Sequence, residues 1–552
     1  MADQMHRIDW PVVGDGADRV SRPVDPEFTA HPLRELADAA LQRAADLGAE
    51  HADFRAERIK GQQIGLSDGK LETLFDADDL GLAVRVVVEG TWGFASAIDL
   101  TPDAAARAAA EAVEVARVAT AINTERIELA PEPAHGEVSW VSAYQVDPFS
   151  VSVTEKIGLL ADWSSALLAH GGIDHVDSSL LQVKECKFYA DGATTAFQQR
   201  VRLHPSVTAV AVEPGGRFET MRTLAPPVGR GYEFLVPASA GSGAVKGESE
   251  GGMGRWAGGG GSWDFAAELA EIPELLAAKL AAPSVRAGRY DLVIDPSNLW
   301  LTIHESIGHA TELDRALGYE AAYAGTSFAT LDRLDTLEYG SAAMTVTGDR
   351  TVEHGLATVG YDDEGVQAQQ FDIVRGGVLV GYQLNRQMAQ AHGLGEPADG
   401  TGPRGRSNGC AFADSAGHIP LQRMANVSLQ PAPGGPSTEE LISQVQRGIY
   451  VVGDRSWSID MQRFNFQFTG QQFHRIVDGR LAGQVRDVAY QATTTEFWGS
   501  LEAVGGPQTY VLGGAFNCGK GQPGQVAAVS HGCPTALFRG VNVLNTLSEG
   551  GR

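Results

Sequence analysis

The stretch Leu301 to Ala310, LTIHESIGHA, carries two histidines and a glutamate in the order H-E-x-x-x-H. Neutral imidazoles bind zinc, and a carboxylate next to one of them can take a proton from water activated at such a metal. The familiar zinc-binding form is H-E-x-x-H. Its i, i+4 spacing separates the two rings by roughly 40° on a helix of about 3.6 residues per turn. Here the histidines, His304 and His309, are i and i+5, about 140° apart on a regular helix. They can share a metal only if the helix is distorted. A π-type turn absorbs one extra residue, and the spacing places that distortion between Ile303 and Ala310, with Gly308 as the yielding point.

If the pair binds zinc, Glu305 is the proton carrier, taking a proton from water and passing it to the leaving amine. A catalytic zinc ordinarily has three protein ligands and a water. Spacing leaves the third ligand open among Glu312, Asp314, Glu320, Asp362, Asp363, Glu364, His531 and the cysteines. Of the four cysteines, Cys518 lies in a glycine-rich segment beside Lys520, a setting that favours thiolate.

The elements that hold these residues can be read around them. RYDLVIDPSN supplies a buried strand from Tyr290 to Ile294, after which Ser297 caps a helix running to about Gly318. Downstream, FDIVRGGVLVGYQL, GIYVV, FNFQFTG and HRIVDGRLAGQVRDVAY alternate strand with turn, a pattern of largely antiparallel sheet. Upstream, PLRELADAALQRAADLGAE and PDAAARAAAEAVEVARVATAI have helical periodicity. They flank hairpins turned at Asp68-Gly69 and Glu89-Gly90. A second unit repeats the theme, with a helix in TEKIGLLADWSSALLAH and a hairpin around Asp191-Gly192. Residues 240–262 are glycine-dense and read as a flexible loop, either linker or flap, with Ser262 capping the next helix. The fold class expected is α+β: an arm over 1–34, an α/β region over 35–285, and a β-rich domain over 286–552 carrying the distorted helix.

Bulk properties narrow the setting. The 552 residues exceed a single core, and 43% apolar with 20% charged residues is ordinary globular composition. A formal net charge of −26 argues against nucleic acid or anionic membrane as partners. No C-x-x-C pair, no apolar leader and no long uncharged apolar run point to a reduced, cytoplasmic setting.

Taken together the motifs resemble the TldD/PmbA family, in particular its TldD-type subunit. The segment HESIGHATELDRALGYEAAYAGTSFAT is similar to that family's metalloprotease helix, with GHATE matching its G-H-x-x-E continuation. LGLAVRVVVEGTWGFASAIDL resembles its N-terminal block, and YDDEGV, LQRMANVSL and FNCGKGQPGQVAAVSHGCPTALFRGVNV follow in the family's order, over about residues 35–545. The resemblance implies a zinc peptidase for small or unstructured peptides. It implies His304, His309 and Cys518 as metal ligands and Glu305 as the catalytic glutamate. It also implies a dimer with a TldE (PmbA-type) subunit that lacks the motif, the site facing an internal cavity; pairing of the chain with itself is the other form. The arm and the glycine-dense stretch are longer than the family leads one to expect. The block containing Arg404 and Arg406 matches only loosely, so no substrate contact is carried over to those two. The alternative reading is a catalytically idle peptide-binding or scaffold subunit, against which the intact Glu305 stands. A metal-dependent hydrolase of small non-peptide amides is a third.

Overall fold

A computed structural model describes residues 22–236, 256–257, 261–395 and 405–549. Most of the glycine-dense stretch, the arm before Arg22, and Arg404 lie outside the described residues. The part of the expected arm that is described is docked. The short helix Pro26–Thr29 seats Phe28, fully buried, against the first sheet.

That sheet is built from β1 (His51–Ser67), β2 (Lys70–Val88), β3 (Thr91–Ala97), β4 (Gly136–Val141), β5 (His175–Ala190), β6 (Thr194–Val212) and β7 (Phe218–Arg222). The strand order is β3-β2-β1-β5-β6-β4, with β7 on β6. All pairs are antiparallel except β4 with β6. Both early hairpins turn where expected, with Asp68, Gly69, Glu89 and Gly90 in the left-handed region. One face is apolar. Phe54, Ala56, Val84, Val86 and Phe188 pack there under the helices Leu33–Asp46 and Pro102–Thr120. The helices Val153–Leu168 and Phe265–Ala281 cover the far end of the sheet. The second of these is capped by Asp264, whose carboxylate accepts from Ala267 N at 3.0 Å, and not by Ser262, which belongs to a short strand.

The opposite face of the same strands carries Asp53, Arg55, Glu57, Arg85, Glu185 and Lys187, and all are buried. Asp53, Glu57 and Glu185 pair with cations of the same sheet, whereas Arg55, Arg85 and Lys187 also reach carboxylates of the later chain. Arg85 pairs with Glu364 at 2.8 Å, and Lys187 with Asp363 at 2.7 Å. The contact between this face of the first sheet and the rest of the chain therefore includes buried ion pairs, beside the bonds of Gln198 to Gly360 and Tyr361.

Beyond residue 286 strands dominate, as the sequence pattern requires. Gly288–Ile294 pairs in parallel with Arg447–Ile459 and antiparallel with Ala536–Asn545. Asn465–Val477 and Val488–Thr493 complete the circuit, so this sheet closes on itself. Phe466, Phe468, Tyr490, Phe497 and Phe538 fill its aromatic core. The helix Pro296–Ile303 packs on this sheet, where Asn298 Nδ2 donates to the carbonyls of Gly453 and Thr469, both at 2.9 Å. A separate hairpin, Val511–Lys520 with Gln525–Cys533, lies along the helix. No helix among the described residues is long and apolar enough to cross a membrane.

Candidate metal centre

The helix begins two residues earlier than its sequence suggested. Asp295, not Ser297, is the N-cap, its carboxylate accepting from Ser297 N at 2.9 Å with Pro296 in the first turn. It also ends far short of Gly318. Regular α-helix stops at Ile303, residues His304–Gly308 form a π turn, and His309–Thr311 form a 3₁₀ turn. Glu312 then takes up extended backbone, and a short helix Leu313–Ala316 follows.

This irregular stretch frees carbonyls that a regular helix would occupy, and side chains supply the donors. Thr311 Oγ1 donates to Ile307 O at 2.8 Å, Gln383 Nε2 to Gly308 O at 2.7 Å, and Ser327 Oγ to Ala310 O at 2.6 Å. The Tyr339 hydroxyl donates to Ser306 O. Four carbonyls of the distorted stretch are thus bonded by side chains, which helps it to persist in a buried place. Gly308 contributes differently from expectation. Its φ of −51° is ordinary helical backbone. A side chain there would instead strike Met424, whose sulfur lies 2.6 Å from the place a Cβ would take.

The π turn brings the two rings together, with centroids 4.7 Å apart. Cys518, from the strand Val511–Lys520, stands beside them, its sulfur 3.6 Å from His309 Nε2. One donor atom from each of His304, His309 and Cys518 falls within 4.8 Å of the others, and all three residues are buried. Cys518 thus sits in a strand and not in a loop.

Each ring is also oriented from behind. His531 Nδ1 donates to Val427 O at 2.9 Å, so its Nε2 is an acceptor, and His304 Nδ1 lies 2.7 Å from it. His309 Nδ1 lies 2.8 Å from Glu312 Oε2. In both histidines Nδ1 therefore carries the proton and Nε2 keeps its lone pair. Burial holds both rings neutral, His309 down to about 3. Glu312 in turn receives Lys520 Nζ at 3.1 Å. Lys520 also meets Asp314 at 2.7 Å and Glu320 at 3.3 Å. This is the carboxylate–histidine arrangement that orients metal ligands.

Two expectations change at this point. Lys520 does not activate Cys518: its ammonium is spent on three carboxylates, and burial pushes the thiol up to about 12. The remaining candidates for a third ligand are occupied elsewhere. Glu312, Asp314 and Glu320 serve His309 and Lys520. Asp363 and Glu364 pair with the first sheet, and Asp362 caps the backbone at Glu364, Val366 and Ala411. Cys186, Cys410 and Cys533 are buried away from the cluster. Arg406 pairs with Glu132 at 2.7 Å.

Glu305 faces the same centre. Burial pushes its carboxyl up, opposed by Arg463, whose Nη1 meets Oε2 at 2.5 Å. Sequence reading missed Arg463, which is 158 positions away in the chain and carries no local signature. His304, Glu305, His309 and Cys518 all open on a cavity of about 740 Å³, walled by Trp300, Trp263, Leu224 and Phe516 among others. The donor set of two imidazole nitrogens and one sulfur, with a fourth direction open to a cavity, fits a catalytic zinc.

The comparisons agree with this architecture. The model of the PmbA/TldA metallopeptidase C-terminal domain matches residues 287–545, and that of PmbA/TldA metallopeptidase domain 1 matches residues 52–116. A metalloprotease of Methanothermobacter thermautotrophicus is 26% identical, the alignment covering 90% of this chain and 96% of that one. A zinc metalloprotease TldD homolog of Saccharolobus solfataricus is 22% identical over the same shares. Among solved structures, a putative modulator of a DNA gyrase from Thermotoga maritima superposes with a TM-score of 0.67 at 15% identity, covering 93% of this chain and all of that one. TldE from Thermococcus kodakarensis does so with a TM-score of 0.63 at 12% identity, covering 92% and 99%. These two share the fold. With both ends of its architecture matched by that family's domain models, the chain belongs to the TldD/PmbA metallopeptidase family.

Proposed function

We propose that the chain is a zinc-dependent peptidase acting on small or unstructured peptides, with His304, His309 and Cys518 as the metal ligands. The observation that carries this reading is the wiring of the two rings. Both Nδ1 atoms are taken by partners behind them, both Nε2 lone pairs are left for a metal, and a buried sulfur lies beside them. A zinc ion bound there would polarise a carbonyl and lower the pKa of a water towards about 7. The chain's own contribution is proton handling and positioning. Glu305 Oε2 is held by Arg463, which leaves Oε1 to take a proton from water and deliver it to the departing amine nitrogen. Cys518 would complete the ligand set as thiolate, giving up its proton on binding.

The substrate is held as an extended chain. Among the described residues the strand Val511–Lys520 pairs only with Gln525–Cys533, and residues Gly513 to Asn517 line the cavity. Its other edge offers backbone donors and acceptors to a peptide, a mode that reads shape rather than side chains. The likeness to TldE supports a working dimer with a TldE-like subunit or with a second copy. Four unpaired buried cysteines suit a reducing cytoplasm. The two-domain division at about residue 286, preceded by the arm, remains our reading of the chain's organisation. An idle scaffold subunit would have no use for this ligand wiring or for Glu305. The test is zinc titration together with cleavage of a panel of unstructured peptides. Glu305→Gln should keep the metal and lose turnover by at least about 10²-fold. Failure to bind zinc, or full activity in that variant, would overturn the proposal.

A further inference from the structure

Arg463 sits where an arginine is awkward. Its φ is +61°, the left-handed region that non-glycine residues enter only at a cost in strain. The turn that carries it is fixed from several sides. The Asp460 carboxylate accepts from the backbone N–H of Gln462 at 3.1 Å, of Phe464 at 2.8 Å and of Asn465 at 3.0 Å, and from Asn465 Nδ2 at 2.6 Å. Arg463 N donates to Asp460 O at 3.0 Å, and Thr494 Oγ1 donates to Arg463 O at 2.7 Å. The turn is also tied to the irregular helix. Phe328 N donates to Gln462 O at 3.0 Å, and the neighbouring Ser327 donates its hydroxyl to Ala310 O.

The guanidinium aimed by this turn has one hydrogen-bond acceptor among the described residues, Glu305 Oε2 at 2.5 Å. Its Nε is buried without a partner. The side chains are 15% and 7% exposed, so the contact is shielded from water. An arginine serving the packing of its own hairpin would spend its donors on nearby carbonyls, as Arg475 does on Ala482 O at 2.7 Å. Arg463 turns to the glutamate of the metal helix instead.

We propose that Arg463 is a positioning residue for the peptidase reaction: it locks one oxygen of Glu305 and so fixes where the other oxygen points. This rests on the peptidase reading above. The Trp457 side chain also reaches this carboxylate, but the charged contact is the one from Arg463. Without it the carboxylate would turn more freely, and a proton acceptor displaced by about 1 Å costs up to about 100-fold in rate. The strained backbone is held by the Asp460 network so that the guanidinium arrives in one orientation.

The test uses the full chain, zinc-loaded, with an unstructured peptide, and three variants. Arg463→Gly suits the left-handed backbone, so the turn is kept while the guanidinium is lost. Its zinc content should stay at one equivalent, with kcat and kcat/KM falling together by about 10- to 100-fold. Millimolar methylguanidinium should restore part of kcat. Arg463→Lys, which keeps the charge without the planar fork, should fall between. Unchanged kcat in Arg463→Gly, loss of zinc along with activity, or no recovery with methylguanidinium would each overturn the proposal. If the zinc-loaded wild type cleaves no peptide, the peptidase reading fails separately. The locking of Glu305 is then read by thermal unfolding of the metal-free protein. Arg463→Gly, Glu305→Gln and their double variant should show non-additive midpoint shifts, and additive shifts would overturn it.

Discussion

Replacing Gly308 by alanine probes the closest packing in the centre. In an ordinary helix interior the change would stabilise by about 0.5–1 kcal/mol, because glycine loses more backbone freedom on folding. Here the new methyl would lie 2.6 Å from Met424 Sδ, 2.9 Å from its Cε and 3.5 Å from His531 Cε1. Non-bonded carbons rest at about 3.5–4.0 Å, so the sulfur must retreat by about 1 Å. Met424 is fully buried, and it can move only by displacing neighbours. Overpacking of this kind costs about 1–3 kcal/mol. The net effect of Gly308→Ala is therefore a loss of about 1–2 kcal/mol. The displaced Met424 and His531 would also disturb the support of His304, weakening zinc. Denaturant unfolding of the metal-free protein measures the first effect, and competition with a chelator the second. The same substitution made on a Met424→Ala background keeps only an ordinary contact with His531 and should reverse sign, stabilising by up to about 1 kcal/mol. A neutral Gly308→Ala, or a penalty that survives removal of Met424, would refute the argument.

Three further outcomes are expected. Cys518→Ser should weaken zinc binding by at least about tenfold, whereas serine at Cys186, Cys410 or Cys533 should leave zinc stoichiometry at one, by chelator competition. Lys520→Met strands the carboxylates of Glu312, Asp314 and Glu320. It should cost about 3–5 kcal/mol in urea unfolding, and zinc affinity should fall about 10- to 100-fold through the loosened His309. Burial pushes the Asp53 carboxyl up, but Arg85 and His51 outweigh it and hold it at about 2. Its folded value is thus below its unfolded value of about 3.9. The stabilisation is complete above pH ~4 and is lost as pH falls through about 2, about 2.5 kcal/mol in all. Asp53→Asn should flatten that part of the stability–pH curve, and an unaltered slope would contradict the assignment.

The i, i+5 spacing of His304 and His309 was informative because helix geometry is rigid: only local unwinding could bring the rings together, and the π turn lies at residues 304–308. The reason given for Gly308 did not hold. Spacing sees conformational freedom, whereas the pressure there is the tertiary approach of Met424. The one local hint for Cys518 over the ten other third-ligand candidates, its neighbour Lys520, did not hold; the resemblance singled it out, and only the hairpin's position shows it beside His309. Arg463 left no trace, since its role comes from a turn folded back across the chain. The alternation of Asp53, Arg55 and Glu57 looks like a solvated strand face. It is buried because neighbouring strands pair Asp53 and Glu57 with Arg85 and Lys187, and Asp363 and Glu364 meet the cations from the other side, a complementarity that no single strand displays.

That ionic seam bears on how the molecule unfolds. Arg85 and Lys187 find their counter-charges more than 170 positions away, at Glu364 and Asp363. Once buried, a charge stripped of its partner costs several kcal/mol. Neither part can therefore loosen alone without exposing or orphaning ions of the other. Calorimetry should show one transition rather than two, despite a chain long enough for several cores. A fragment starting at residue 286 would carry Asp363 and Glu364 unneutralised. It should regain its compact form only when residues 22–281 are supplied in trans.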